Sequence, residues 1–446
     1  MAKEPALALA AVLTLALGIG ACTAMFSVIE AVLLTSMDIA QPQQVVVMWP
    51  QFGDTAGEFS YNAYLEFGRE SATFERVALS GSANWPVPVD ILLPDGGRTR
   101  ATQSAVSDTF FDVLGARPLL GRIFHAGEDR PGAPLAIVVS AGFWKTKLGG
   151  DAAVVGRTLA IGRDNWRIIG VMPPEFFYPA GADFWTPAAT LLALTSDDKS
   201  PAAVEQIFSS VGAFHVLARL KPGVSMPQAQ MEATRLWTIV QADTSARVAV
   251  RPLLEHVFGT ARRALWLLMG AVGLVLVIAC ANVAGLLVAR NALRSRELAV
   301  RRALGATPWQ MVRQSLVEAG VLAAAGGIIG MGIAAAALRG LIALSPATVV
   351  RLSETRVDAI VLAACLVITG AVTLGVALVP ALQANRFPVI SSMNALSMRD
   401  PGRGIRSDTR RVLVVVQVAI TLTLLVASAL AAQSFMHLAA LDLGFD

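Results

Sequence analysis

The sequence predicts an α-helical integral membrane protein with an inserted extracytoplasmic α/β domain. Three observations carry that reading. The 446 residues are 55% hydrophobic and 15% charged, well below the roughly 25% charge of an ordinary soluble domain. Five apolar runs each reach the roughly 20 residues that cross about 30 Å of hydrocarbon as a helix. Between the first run and the second lies a polar stretch, residues 35–261, long enough to bury a core of its own.

The first run, Pro5–Ile29, is uncharged over its length and continues past Glu30 to residue 37. It is too long for the apolar stretch of a cleaved signal peptide, so it reads as an uncleaved anchor, tilted or projecting as a stalk. Residues 264–289, 319–338, 359–385 and 412–435 are the other four runs. Orientation follows from the short connections, because Arg and Lys near span ends stay on the cytoplasmic side. The connection after the second run holds Arg290, Arg294, Arg296, Arg301, Arg302 and Arg313 against Glu297 alone. Residues 386–411 hold Arg386, Arg399, Arg403, Arg406, Arg410 and Arg411 against Asp400 and Asp408, whereas residues 345–358 are balanced in charge. Both basic connections are therefore placed in the cytoplasm with the N-terminus, and residues 35–261 outside. That outer stretch carries 18 Lys and Arg against 22 Asp and Glu. Cys22, Cys280 and Cys365 all fall in apolar runs, so no disulfide can staple the outer domain.

Within the outer stretch, β-type runs at 45–49, 87–93, 135–139, 159–161, 167–172, 215–220 and 247–253 alternate with helix-type runs at 61–70, 108–114 and 226–240. Turn residues at 94–97 and 163–165 separate strand pairs. An α/β domain follows. Its chemistry is sparse. His125, His215 and His256 lie at no metal-ligand spacing, no Cys is at hand, and neither a zinc-protease helix nor a nucleophile elbow is present. No cofactor or metal is implied. Glu128-Asp129 and Asp197-Asp198 read as loop neighbours pointing into water, and Trp85, Trp144, Trp166, Trp185 and Trp237 as mostly core residues. Residues 150–158 and 79–82 only resemble nucleotide-binding motifs and read as turns; no Walker A sequence occurs, so ATP, if used, binds another polypeptide. Nothing implies a nucleic-acid partner.

The most informative connection is 290–314. Leu293, Leu298, Val300 and Leu304 give an apolar face, Gly305 can end the helix left-handed, and Thr307-Pro308 opens the next one. A basic amphipathic helix on the inner surface results, which suits either anionic membrane lipid or a cytosolic partner.

Residues 280–284, 296–306 and 313–318 resemble the C-terminal core of MacB/FtsX-type ABC transporter permeases. The opening run LTLALGIGACTAMFSVIEAVLL, the outer pieces VSDTFFDVLGARPLLGRIF, VGRTLAIGRDNWRIIGVMPPEFFYP and ARLKPGVSMPQAQME, and RRVLVVVQVAITLTLLVASALAAQSF resemble the duplicated orphan permease branch of that family. The resemblance covers nearly the whole chain. It implies an FtsX-like permease core, a bacterial inner-membrane location, a separate cytosolic ABC ATPase subunit, a dimeric or pseudo-dimeric assembly, and coupling of ATP hydrolysis to movement of the outer domain for export or extrusion. Arg296, Glu297, Arg301, Gly305 and Arg313 would form the ATPase-coupling region.

In the spans, Ala281 with Gly285 and Gly326 with Gly330 have the spacing that permits close helix approach, and Asn282 is expected to hydrogen-bond across helices. Glu30 and Glu318 lie near span ends, and no chain of ionisable residues crosses the membrane, which argues against a proton-coupled carrier. The layout is then an anchor helix at 1–37, an outer domain at 38–261, and an FtsX-like permease at 262–388 with its coupling loop. A basic linker follows at 389–411, and a fifth span at 412–446 that would open a second repeat in a longer duplicated protein. A non-transporting signalling or scaffold protein, whose outer domain binds a periplasmic or cell-wall partner, is the alternative from a different class.

Overall fold

The computed structural model describes residues 5–31, 39–82, 86–93, 96–195, 198, 200–241, 245–293, 308–344, 359–384, 414–415, 417–430 and 433. The chain forms two compact units: one is built from residues 1–32, 263–344 and 351–446, the other from residues 33–262 and 345–350.

The helical unit holds α1 (Pro5–Ile29) and the following stretches of the chain that are apolar throughout. To keep chain order, the helices of the larger unit are α2 (Tyr61–Glu70), α3 (Phe110–Leu114), α4 (Ala141–Lys147), α5 (Ala188–Thr195), α6 (Pro201–Ser210) and α7 (Met226–Gln241); then come α8 (Leu253–Leu293), α9 (Pro308–Leu344) and α10 (Ala359–Ala384). Four segments are long and apolar enough to cross a membrane: Pro5–Ile29, Arg262–Arg290, Val312–Gly340 and Ala359–Ala377. Of the fifth run, Gln417–Leu430 is described as a shorter apolar helix, and the rest lies outside the described residues. Ala11, Leu15 and Ile19 of α1 pack with Val283 and Leu287 of α8, Ala319, Leu322 and Ala323 of α9, and Cys365, Val372 and Val376 of α10. Leu267, Ile328 and Leu366 stay more than 70% exposed, which in water would be an aggregation liability and in lipid is the solvated face.

The second unit contains strands β1 (Val45–Phe52), β2 (Thr55–Ala56), β3 (Phe74–Gly81), β4 (Val87–Leu92), β5 (Arg98–Val106), β6 (Leu120–Gly121), β7 (Ala136–Val139), β8 (Thr158–Ile161), β9 (Asp164–Val171), β10 (Phe184–Pro187), β11 (Phe214–Leu220) and β12 (Arg247–Pro252). Strands β5, β4, β8, β9, β7 and β10 pair in that order, and β10 returns to pair with β5 in parallel, so this part closes into a six-stranded ring. All six strands supply its filling: Ile91, Ala101, Ile137, Leu159, Trp166, Ile168 and Phe184 form one buried cluster, as a small barrel requires. Strand β5 also joins β3 through Ser80 opposite Val106, and β3, β11, β1 and β12 continue as an antiparallel sheet.

That sheet is covered on both faces because its strands alternate. Val46, Met48, Val216, Ala218, Val248 and Val250 face α2 and α5 to α7, while Val45, Val47 and Leu217 face α3 and the first turns of α8. Ser60, Ser140 and Ser200 cap α2, α4 and α6 by accepting from the N–H of Ala63, Phe143 and Ala203. The α/β organisation expected from the sequence holds, with three differences. Strands β3, β5 and β10 lie in runs that do not alternate cleanly, and α4 to α6 stand where the sequence offers no clear helical period. Residues 79–81 belong to β3 instead of a turn.

Candidate functional site

In the helical unit the close approach is made by backbone. A methyl group added at Gly20 of α1 would stand 2.7 Å from the Gly330 carbonyl oxygen of α9; one at Gly330 would stand 2.9 Å from the Ala16 carbonyl; and one at Gly326 would stand 3.0 Å from Leu15 Cβ. Only glycine permits this spacing, since a Cβ would push the helices apart. Gly326 and Gly330, read from sequence as packing residues, therefore meet the Ala16–Gly20 segment of α1. That segment has the same four-residue spacing of small residues, which is the signal by which Gly20 could have been found. Gly18 likewise faces Leu276 of α8, with 2.8 Å to its Cδ1.

Asn282 and Gly285, expected from the sequence to pack between helices, are not brought into this helix contact. Both are exposed on α8, and nothing lies within 4 Å of a methyl placed at Gly285. The face of α8 that packs on its neighbours carries Val283 and Leu287 instead; Asn282 and Gly285 are turned away from it. Next to Asn282, Ala281 lines an apolar groove of ≈ 380 Å³ with Leu276, Cys280 and Ala284 of α8 and Ile368 and Val372 of α10.

Of the residues expected to couple to an ATPase, Arg296, Glu297, Arg301 and Gly305 lie outside the described residues, as does the basic linker. Arg313 is exposed in the second turn of α9, which starts at Pro308, where its fixed φ suits a first helical position.

The polar centre of the large unit is a buried carboxylate. Asp129 is 8% exposed; its Oδ1 accepts from the Ala189 N–H at 2.6 Å, in the first turn of α5, and its Oδ2 accepts from the Tyr61 hydroxyl at 3.1 Å. Burial pushes its carboxyl up to about 7, with nearby Asp108 adding to the rise, while the hydrogen bonds from Ala189 and Tyr61 oppose it. Glu128 turns the other way and forms a two-pronged ion pair with Arg122, at 2.8 Å on each oxygen. The Arg122 guanidinium holds its carboxyl below the usual range. Neither residue is the free solvent-facing neighbour that adjacency on a loop suggested, because the 122–133 loop folds back onto α2 and α5. Asp198 is a local cap for Ser200; Asp197 and Trp85 lie outside the described residues.

His215 and His256 are 41 positions apart in sequence, yet their rings stand 5.8 Å apart and both lie tilted against Trp49, at 5.4 and 5.1 Å. Sequence spacing could not join them, because they come from β11 and from α8 and meet only through the β1–β11 register. Among the described residues, no group of three or more His, Cys, Asp or Glu could hold a metal ion.

Comparison with known proteins places these features in a family. The description "MacB-like periplasmic core domain" matches residues 8–236, and "FtsX-like permease C-terminal" matches residues 269–389. The macrolide export ATP-binding/permease protein MacB of Neisseria meningitidis serogroup A is 23% identical over 244 residues, which is 53% of this chain and 35% of that protein. MacB 2 of Aeromonas hydrophila is 25% identical over 236 residues, 51% of this chain and 34% of that protein. The chain thus spans about a third of the length of these curated relatives. The crystal structure of the periplasmic region of MacB from Actinobacillus actinomycetemcomitans is 13% identical, covering 52% of this chain and 97% of that one, with a TM-score of 0.38. With the first description alone covering half of its residues and the second following in order, the chain belongs to the family of MacB/FtsX-type permeases.

Proposed function

We propose that this chain is a permease subunit of an ABC transporter that couples ATP hydrolysis on a separate cytosolic ATPase to movement of its extracytoplasmic domain, for export or extrusion. The observation that carries the reading is the order of the two family matches. A periplasmic core domain that begins inside the first apolar helix is followed by an FtsX-like permease segment containing three more. In this reading the outer domain occupies residues 38–261, the permease 262–388, and the N-terminus and the two basic connections are cytoplasmic in an inner membrane. Two permease copies or halves complete the assembly.

Two physical features support transmission by helix movement. The chain carries a 41-residue helix, α8, at Leu253–Leu293. The α1–α9 contact is glycine on glycine, and such contacts hold helices close without interlocking side chains. Arg296, Glu297, Arg301, Gly305 and Arg313 are proposed to meet the ATPase, with charge complementarity setting the register.

The test is co-purification. The wild-type chain and a Glu297→Lys, Arg301→Glu double variant are each expressed with a candidate cytosolic ABC ATPase, then reconstituted in vesicles for ATPase assay. Loss of ATPase recovery and of stimulated hydrolysis in the variant, with the wild type positive, supports the coupling role. Equal recovery removes that role, and no association by either chain favours a membrane scaffold whose outer domain binds a cell-wall partner.

A further inference from the structure

The Trp49, His215 and His256 cluster is not used by any step above, and its three members come from three elements. Trp49 lies on β1, His215 on the adjacent strand β11, and His256 in the first turns of α8. Leu253 is buried against the same face of the sheet, and Leu254, Val257 and Phe258 pack around it, with the Phe258 ring 6.0 Å from Phe177. The start of α8 is therefore held to the sheet by an apolar contact, with the His215 imidazole buried in it and the His256 imidazole at its exposed edge. His215 is 7% exposed, whereas His256 keeps part of its ring at the surface.

We propose that this cluster is an acid-sensitive latch: with both imidazoles neutral it holds the first turns of α8 on β1 and β11, and protonation releases them. Among the described residues, the groups whose charge acts on the pair are all bases. The charged groups that act on the pair are the partner imidazole and, on His256, the Arg251 guanidinium of β12. From β3 the neighbour across the ladder is Ser80, whose hydroxyl interacts with Tyr178. On the same face of β11, Arg219 already donates to the carbonyls of Val113 and Ala40. Glu255 precedes His256 in the helix but is exposed, and no carboxylate is among the charges acting on either ring. Burial, with the second imidazole beside it, holds the His215 ring down at about 4. The rule of linkage then fixes the sign: a histidine lowered in the closed state contributes its full stability above the ordinary value of about 6.5, and loses it as pH falls toward the closed-state value.

Hydrogen exchange on the whole chain in lipid nanodiscs tests this. Amide protection at 257–259, corrected for the intrinsic rate, is compared at pH 7 and pH 5, with β7 as the reference. The latch predicts a fall of about 20-fold at 257–259, one proton's worth of linkage over that range, no change in β7, and a smaller fall in His215→Phe, where His256 alone is left to titrate. Equal protection of the wild type at both pH values overturns the proposal, even without a folded variant. An equal fall in His215→Phe also overturns it, since the proton would then act elsewhere.

Discussion

Gly20 and Gly330 face each other across the α1–α9 contact so closely that a side chain on either would meet backbone: 2.7 Å to a carbonyl oxygen from one, 2.9 and 3.0 Å to carbonyl and amide from the other. Backbone atoms cannot swing aside as a side chain can, so the helices themselves must separate. Gly330→Val is expected to cost about 1 to 3 kcal/mol by overpacking and to lower the unfolding temperature of the purified protein. Gly285→Val, on a face with nothing within 4 Å, is expected to leave it unchanged. Equal effects at the two positions would show that α1 and α9 do not meet this way.

Asp129 is expected to make the stability of the large domain depend on pH. Its carboxyl is raised from about 3.8 to about 7 by burial, so the folded state favours the protonated form. Stability from this group is present below the unfolded value and is lost as pH rises through 7, at up to about 1.4 kcal/mol per pH unit between the two. Asp129→Asn keeps a neutral acceptor for the Ala189 N–H. It should remove that slope and match or exceed the wild type at pH 8, while Asp129→Ala should be less stable than the Asn variant by about 1 kcal/mol for the lost helix cap. Denaturant unfolding at pH 5 and pH 8 reads both; an identical slope in the Asn variant would contradict the assignment.

Strand β12 ends the open side of the sheet, and the side chain of Gln230 on α7 covers it: Nε2 donates to the Val248 carbonyl, and Oε1 accepts from the Val250 N–H at 3.0 Å. The amide occupies the positions another strand would take, which blunts an edge open to pairing with other chains. Gln230→Ala should cost about 1 to 3 kcal/mol for the unpaired backbone groups and produce concentration-dependent association. Light scattering of the purified chain checks the second effect; a monodisperse Gln230→Ala protein would mean that the edge needs no cover.

The membrane spans were legible because a 20-residue apolar run has few other readings, β1 because its unbroken Val-rich run reads as a strand buried on both faces, and α7 because one side of it is buried. Strand β10 was not, because its neighbours β5 and β7 bury it on every side and Phe184–Pro187 is too short to alternate. The site residues divide in the same way. Gly326 and Gly330 announce themselves by spacing, but Gly285 has the same spacing and faces outward, since sequence spacing identifies a face of a helix and not what lies opposite. Asp129 and the His215–His256 pair depend on long-range register. One α5 amide decides whether the carboxylate is buried, and the β1–β11 ladder with the start of α8 decides whether the imidazoles meet.

Sidedness is the premise on which the transport reading stands, and impermeant thiol labelling of intact cells measures it directly. In a background with Cys22, Cys280 and Cys365 replaced by alanine, Gly150→Cys should react with a membrane-impermeant maleimide at once, and Ser295→Cys only after the membrane is opened. Labelling of position 295 in intact cells, with position 150 protected, would invert the topology and contradict the account.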